Sequence, residues 1–247
     1  MTLNESSFCR LEKLAGADGV RKLRSSSVMI IGCGGVGSWA AEAVARSAVG
    51  RITLVDFDTV SRSNINRQLP ALENTLGEYK TEIIAARMKL INPEAAVMTY
   101  NLKIEESNIP VLLADRPDFV IDAIDDVRAK CALINYCKEK DINIIVSTGS
   151  GNKTDPTMIK INDLGLTKQD PLARAVRNTL RKKFGFPKSG KFGIPCVCSE
   201  EIPRTAGSRE EENSAGCKSF SGTLCCVTGS FGFACASFIV RKLLREI

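Results

Sequence analysis

The sequence predicts an α/β fold, a doubly wound and mostly parallel sheet with a small C-terminal extension, on three observations. Short continuous apolar runs recur through the first 150 residues, stretches of helical period separate them, and a glycine-rich turn joins the first run to the helix that follows. Runs apolar on both faces suit strands covered by helices on both sides of a sheet. The arrangement expected is therefore Rossmann-like.

Each element follows in order. Residues 10–24 set Leu11, Leu14, Ala15 and Leu23 among charges, which predicts one or two short helices. Ser25-Ser26-Ser27 breaks that pattern, and Val28-Met29-Ile30-Ile31 reads as a buried parallel strand. A glycine turn, a helix over 36–48, a stop at Gly50 and a strand over 52–55 complete a βαβ unit. Further on, 78–91 is an amphipathic helix ended by Asn92-Pro93, 95–100 a strand, and 105–114 a helix. A strand over 119–121, a helix over 126–140 and a strand over 142–147 continue the alternation.

After Gly149-Ser150-Gly151 the character changes, so the chain divides into a nucleotide-binding core, 1–150, and an extension, 151–247. In the extension, 158–161 reads as a strand of an antiparallel piece, 171–184 as a strongly basic helix, and 207–222 as a polar, charged loop. From Leu224 to Val240 no residue is charged. That run is short for a bilayer and broken by Gly229 and Gly232, so a buried helix with small residues for close packing is expected over membrane association.

Composition narrows the chemistry. A chain of 247 residues with 44% apolar and 25% charged residues is an ordinary globular protein with room for a substantial core. A net charge of +6 favours an anionic partner. There is no histidine, which excludes Ser-His-Asp catalysis and histidine metal sites. Ten cysteines in mostly apolar contexts, behind a polar N-terminus, indicate a reduced, cytoplasmic protein.

Gly32-Cys33-Gly34-Gly35-Val36-Gly37 is a G-x-G-x-x-G loop between strand and helix. Gly32 permits the tight turn, Gly34 and Gly35 let a phosphate approach backbone, and Gly37 allows close helix–strand packing. The helix N-terminus offers unpaired N–H groups to phosphate oxygens. Asp56, ending the next strand, is placed to accept ribose hydroxyls. These features suit NAD and ATP equally.

The polar run Asp56-Phe57-Asp58-Thr59-Val60-Ser61-Arg62-Ser63-Asn64-Ile65-Asn66-Arg67-Gln68, with Lys80 opening the next helix, favours ATP. A triphosphate needs more cationic neutralisation than a dinucleotide, which Arg67 and Lys80 can supply, and a metal, which Asp125 can hold as Mg²⁺. The plain alternatives are an Arg67 paired with a neighbouring acid and an Asp125 that caps the following helix.

Taken as a set, the glycine loop, D-x-D-x-V-x-x-S-N-x-N-R-Q, the helix-opening lysine and the D-x-x-D ending at Asp125 resemble the ubiquitin-activating-enzyme-like adenylation superfamily over residues 8–150. The resemblance implies ATP and Mg²⁺ as cofactors, Asp56 at the ribose, Asn64 and Arg67 at the phosphates, Lys80 at ribose or phosphate, and Asp125 at magnesium. Asp58 and Gln68 of the same motif join the nucleotide-binding set. Arg10 resembles the arginine that crosses a dimer into the partner's nucleotide site, which implies a homodimer. In this chemistry a carboxylate attacks the α-phosphate and pyrophosphate leaves; positioning and charge stabilisation carry the rate, so the lack of histidine is no obstacle.

Relatives that activate small protein tails commonly carry two C-x-x-C pairs for zinc. None occurs here; Cys196-Val197-Cys198 and Cys225-Cys226 have the wrong spacing. Thiolate catalysis by Cys196, Cys198, Cys217, Cys225 or Cys226 stays open beside the commoner reading of inert buried cysteine. In the second half, Arg174, Arg177 and Arg181 share one helix face, which suits successive phosphates of an RNA or, more plainly, a solvated basic surface. That helix, with 120–125 and Gly149-Ser150-Gly151 ahead of Asp155-Pro156-Thr157, resembles the branch of the superfamily that dehydrates threonylcarbamoylated adenosine 37 of tRNA. The resemblance implies tRNA as substrate and leaves a sulfur-transfer protein open as a further partner. It also implies that 151–247 binds substrate and dimerises. The rival is an enzyme that adenylates the C-terminus of a small ubiquitin-like sulfur-carrier protein.

Overall fold

Strands and helices alternate as the apolar runs require, and a computed structural model gives their bounds over residues 7–204 and 222–245. Helix α1 (Cys9–Ser25) bends at Gly16, whose left-handed φ of 74° costs glycine nothing, so two short helices run end to end. Then come β1 (Ser27–Ile31), α2 (Gly37–Arg46), β2 (Arg51–Val55), α3 (Lys80–Ile91) and β3 (Ala96–Tyr100). They are followed by α4 (Ile109–Leu112), β4 (Phe119–Asp122), α5 (Val127–Glu139), β5 (Ile144–Ser147) and β6 (Ile159–Asp163). Finally α6 (Pro171–Lys183), β7 (Pro195–Ser199) and α7 (Cys225–Arg245) complete the described chain. The loop expected over 207–222 lies outside the described residues apart from Gly222, as does Cys217.

Two elements differ from expectation. The helix expected over 105–114 is only the single turn α4. Asn108 folds back ahead of it, accepting the Glu105 N–H at 2.9 Å and donating to the Lys103 carbonyl at 2.8 Å, and Pro110 stands at the helix start. Strand β7 was not expected, because a leading proline and two cysteines around one valine give no clear period.

All seven strands form one sheet in the order β3-β2-β1-β4-β5-β7-β6. Every pairing is parallel except β6 with β7, so the antiparallel piece expected in the extension is an edge of the same sheet. Strand order reverses at β1, which opens a crevice beyond the carboxyl ends of β1 and β4.

Helices cover both faces. One apolar layer joins α2, α3 and α7 to the sheet, the other α4, α5 and α6. Along α7, Val227, Phe231, Cys235, Ile239 and Leu243 repeat every fourth residue and are buried. Gly229 lies against the Trp39 ring, and a side chain at Gly232 would meet the Val36 carbonyl at 2.5 Å. The uncharged run is thus a core helix. It is long and apolar enough to span a bilayer by composition, yet half of it is buried in the protein.

Candidate active site

A cavity of about 720 Å³ opens at the strand-order reversal, walled by the glycine loop and the ends of β2, β4 and β5. The loop is glycine for steric reasons. At Gly32 φ is +90° and a Cβ would stand 2.7 Å from the Ala123 carbonyl oxygen, while at Gly37 it would overlap the Gly32 carbonyl. At Gly34 and Gly35 a Cβ would meet only side chains in ordinary contact, Gln68 at 3.7 Å and Arg67 and Thr228 at 3.4 Å. The N–H groups of Gly34, Gly35 and Val36 make no hydrogen bond among the described residues, leaving donors free at the start of α2.

Asp56 directly follows β2 and organises this loop. Its Oδ2 accepts the Cys33 N–H at 2.6 Å and its Oδ1 accepts the Asp58 N–H at 2.8 Å, so the carboxylate is fixed and each oxygen keeps a lone pair. Asp58 in turn takes the Lys80 ammonium at 2.7 Å; Lys80 is only 5% exposed, so its charge is delivered to the cavity wall with little freedom.

Arg67 meets no acid among the described residues. Its guanidinium donates to the Ser63 carbonyl at 2.8 Å and the Asn66 side chain at 2.9 Å, which orient it and leave its charge uncompensated in the cavity wall. Trp39 Nε1 donates to the Arg67 carbonyl at 3.0 Å. Gln68 lines the cavity and is buried, with its Oε1 unpartnered among the described residues. Asn64 is not in the wall. Its Oδ1 accepts the Ser61 N–H at 3.0 Å and its carbonyl accepts from Arg67 and Gln68, so it shapes the turn that presents them.

Asp125 is exposed at the cavity and makes no hydrogen bond or ion pair among the described residues. Capping of α5 falls to its neighbour Asp126, which accepts the Ala129 N–H at 2.7 Å. A free carboxylate facing a phosphate-sized space fits Mg²⁺, which binds through one or two carboxylates plus phosphates and water. The residue that sequence reasoning passed over is Lys130. It is 1% exposed, pairs with fully buried Asp122 at 2.8 Å and donates to the Ser147 carbonyl at 3.1 Å, tying the ends of β4 and β5 beneath the Asp125 loop. Burial pushes the Asp122 carboxyl up, against the pull of Lys130. A lysine five residues past Asp125 on a helix gave no sign of facing inward.

The remaining candidates lie elsewhere. Arg10 is exposed on α1, outside the cavity wall. Of the three arginines on α6 only Arg174 is exposed. Arg177 donates to Thr167 Oγ1, and Arg181 donates to the Pro187 carbonyl at 3.1 Å with its guanidinium 5.3 Å from the Phe192 ring centre. Two of the three arginines are therefore partly spent on internal contacts, while Arg174, Lys182 and Lys183 face solvent with Lys168, Lys188 and Lys191 nearby in sequence. No described cysteine lines the cavity, and burial lifts Cys131 to about 11 and Cys137 and Cys235 to about 12.

The ThiF family model matches residues 8–246. The tRNA threonylcarbamoyladenosine dehydratase of Haemophilus influenzae is 41% identical, with 98% of this chain and 95% of that protein covered. The molybdopterin-synthase adenylyltransferase of the same organism is 34% identical but matches only 52% of this chain and 52% of its own. Among solved structures, E. coli tRNA N6-threonylcarbamoyladenosine dehydratase in complex with ATP superposes with a TM-score of 0.89 at 37% identity, over 97% of this chain and 94% of that one.

Proposed function

The chain belongs to the ThiF family, and on that premise we propose that it is an ATP-dependent tRNA threonylcarbamoyladenosine dehydratase. The observation that carries this reading is the reach of the likeness. It runs through the C-terminal half, α6 and α7 included, whereas the adenylyltransferase that serves molybdopterin synthase matches about half the chain.

The reaction has two stages. The threonyl carboxylate of the modified adenosine attacks the α-phosphorus of ATP, the bond to the β-phosphate oxygen breaks, and pyrophosphate leaves. An atom of the same modification then attacks the activated carbonyl carbon and loses its proton, and AMP departs with the former carboxylate oxygen. The product is cyclic and lacks the elements of one water. An internal nucleophile needs neither an acceptor cysteine nor a carrier protein.

In this reading Asp56 takes the ribose hydroxyls, and the free N–H groups of Gly34, Gly35 and Val36 take phosphate oxygens. Arg67 and Lys80 neutralise charge that builds at the phosphates, Gln68 orients the nucleotide, and Asn64 and Asp58 hold these groups in place. Asp125 holds Mg²⁺, which when bound supplies further positive charge to the phosphates. The exposed basic residues of α6, Arg174 foremost, carry the tRNA backbone. Arg10 completes the nucleotide site of a second copy in a homodimer, with the extension 151–247 binding substrate and contributing to the dimer. The enzyme works in the cytoplasm.

Pyrophosphate exchange tests the reading. Exchange stimulated by tRNA bearing threonylcarbamoyladenosine, and by no protein ending in Gly-Gly, is expected; the reverse preference would return the chain to carrier-protein activation.

A further inference from the structure

One wall of the cavity, Gly149-Ser150-Gly151, has no part in holding the nucleotide as described above, yet it is braced by buried charges. Two buried charges converge on Gly149. Asp170, fully buried, accepts the Gly149 N–H at 2.9 Å through Oδ2, while its Oδ1 caps α6 by accepting the Ala173 N–H at 2.7 Å. Lys153, 1% exposed, donates to the Gly149 carbonyl at 2.5 Å and to Asp170 Oδ2 at 3.2 Å, and stands 5.8 Å from the centre of the Phe231 ring.

Such a pair adds little net stability, because desolvating each ion costs about as much as their attraction returns. What it does fix is orientation. The Gly149–Ser150 peptide is trans, so its carbonyl and its N–H point in opposite directions. The carbonyl is held toward the buried ammonium, and the Ser150 N–H is therefore turned away from the interior, at a segment that lines the cavity. The N–H groups of Ser150 and Gly151 and the Ser150 hydroxyl make no hydrogen bond among the described residues. The cation on the Gly149 carbonyl also polarises that peptide, which strengthens the Ser150 N–H as a donor.

We propose that the 149–151 loop is the acyl subsite. The Ser150 and Gly151 N–H groups, with the Ser150 hydroxyl, bind the oxygen of the substrate carboxylate that stays on carbon, and continue to hold it as the carbonyl oxygen of the adenylate. Lys153 and Asp170 are positioning residues for this subsite. The inference rests on the adenylation reading, which supplies the carboxylate that these donors bind.

The test compares Ser150→Pro, which removes the N–H, with Ser150→Ala, which keeps it, by exchange driven by modified tRNA and by separate ATP and tRNA binding. Ser150→Pro should lower the exchange kcat by about 100-fold, Ser150→Ala by less than about 10-fold, and both should leave the ATP and tRNA Kd within about two-fold of the parent. Full exchange in a folded Ser150→Pro protein, or an equal loss of ATP binding, overturns the proposal. A second measurement needs no variant. In the parent protein labelled with ¹⁵N-serine and saturated with a non-hydrolysable ATP analogue, threonylcarbamoyladenosine nucleoside should move the Ser150 amide resonance downfield and adenosine should not. No shift, or the same shift with adenosine, overturns the proposal even if Ser150→Pro does not fold. Absence of exchange in the parent with modified tRNA would instead overturn the adenylation reading, and this subsite with it.

Discussion

Oδ2 of Asp56 lies 2.6 Å from the backbone nitrogen of Cys33, so the carboxylate that follows β2 is joined to the centre of the glycine loop. The residue assigned to the ribose therefore also sets the loop assigned to the phosphates. Asp56→Ala should weaken ATP binding by more than a lost ribose contact alone, and should cost about 1–3 kcal/mol of stability because the Cys33 and Asp58 N–H groups lose their acceptor. Paired ATP titration and denaturant unfolding check both effects; a binding defect with unchanged stability would separate the two roles.

Asp125 presents the opposite case. It bonds no neighbour among the described residues, so Asp125→Ala should leave the melting temperature within a degree or so while AMP formation falls by at least about 100-fold. Full activity would remove the assigned magnesium role.

The basic helix divides by contact. Arg174→Glu, Lys182→Glu and Lys183→Glu together should reduce tRNA affinity and its salt slope with little effect on folding. Arg177→Ala and Arg181→Ala should instead each cost about 1 kcal/mol of stability, since each loses an internal hydrogen bond. A salt slope unchanged in the triple variant would make that face a solvated surface only.

Glu42 locks α2 to α3. It accepts from Arg46 at 2.8 Å and from Arg87 at 2.8 and 2.9 Å. Burial alone would raise its carboxyl, but the hydrogen bonds from Arg87 and Arg46 outweigh that and hold it below the ordinary value. A lowered folded-state pKa gives stability that is full above the unfolded value, near ~4.3, and is lost as pH falls through the folded value. Glu42→Gln should therefore melt below the parent at neutral pH, and the gap should close below about pH 4. A gap constant with pH would contradict the ionic account.

How far the sequence discloses all this depends on the kind of residue. Strands β1 and β4 are legible because each carries a continuous apolar run, and the glycine loop because steric demand admits little else at Gly32 and Gly37. Helix α4 is not, since its shortness is set by one asparagine bonding its own neighbours. Lys130, Lys153 and Asp170 escape for a deeper reason. Charged residues are read as surface, and only the fold shows that Lys130 is buried against Asp122 and Lys153 against Asp170.

The central claim is that this chain uses ATP to close a ring on tRNA. Mass analysis of nucleosides from tRNA carrying threonylcarbamoyladenosine, incubated with the protein, ATP and Mg²⁺, measures it directly. The account predicts conversion of that nucleoside to a species lighter by one water, with one AMP formed for each conversion. An unchanged nucleoside, alongside AMP formation that depends on a Gly-Gly-ended protein, would contradict it.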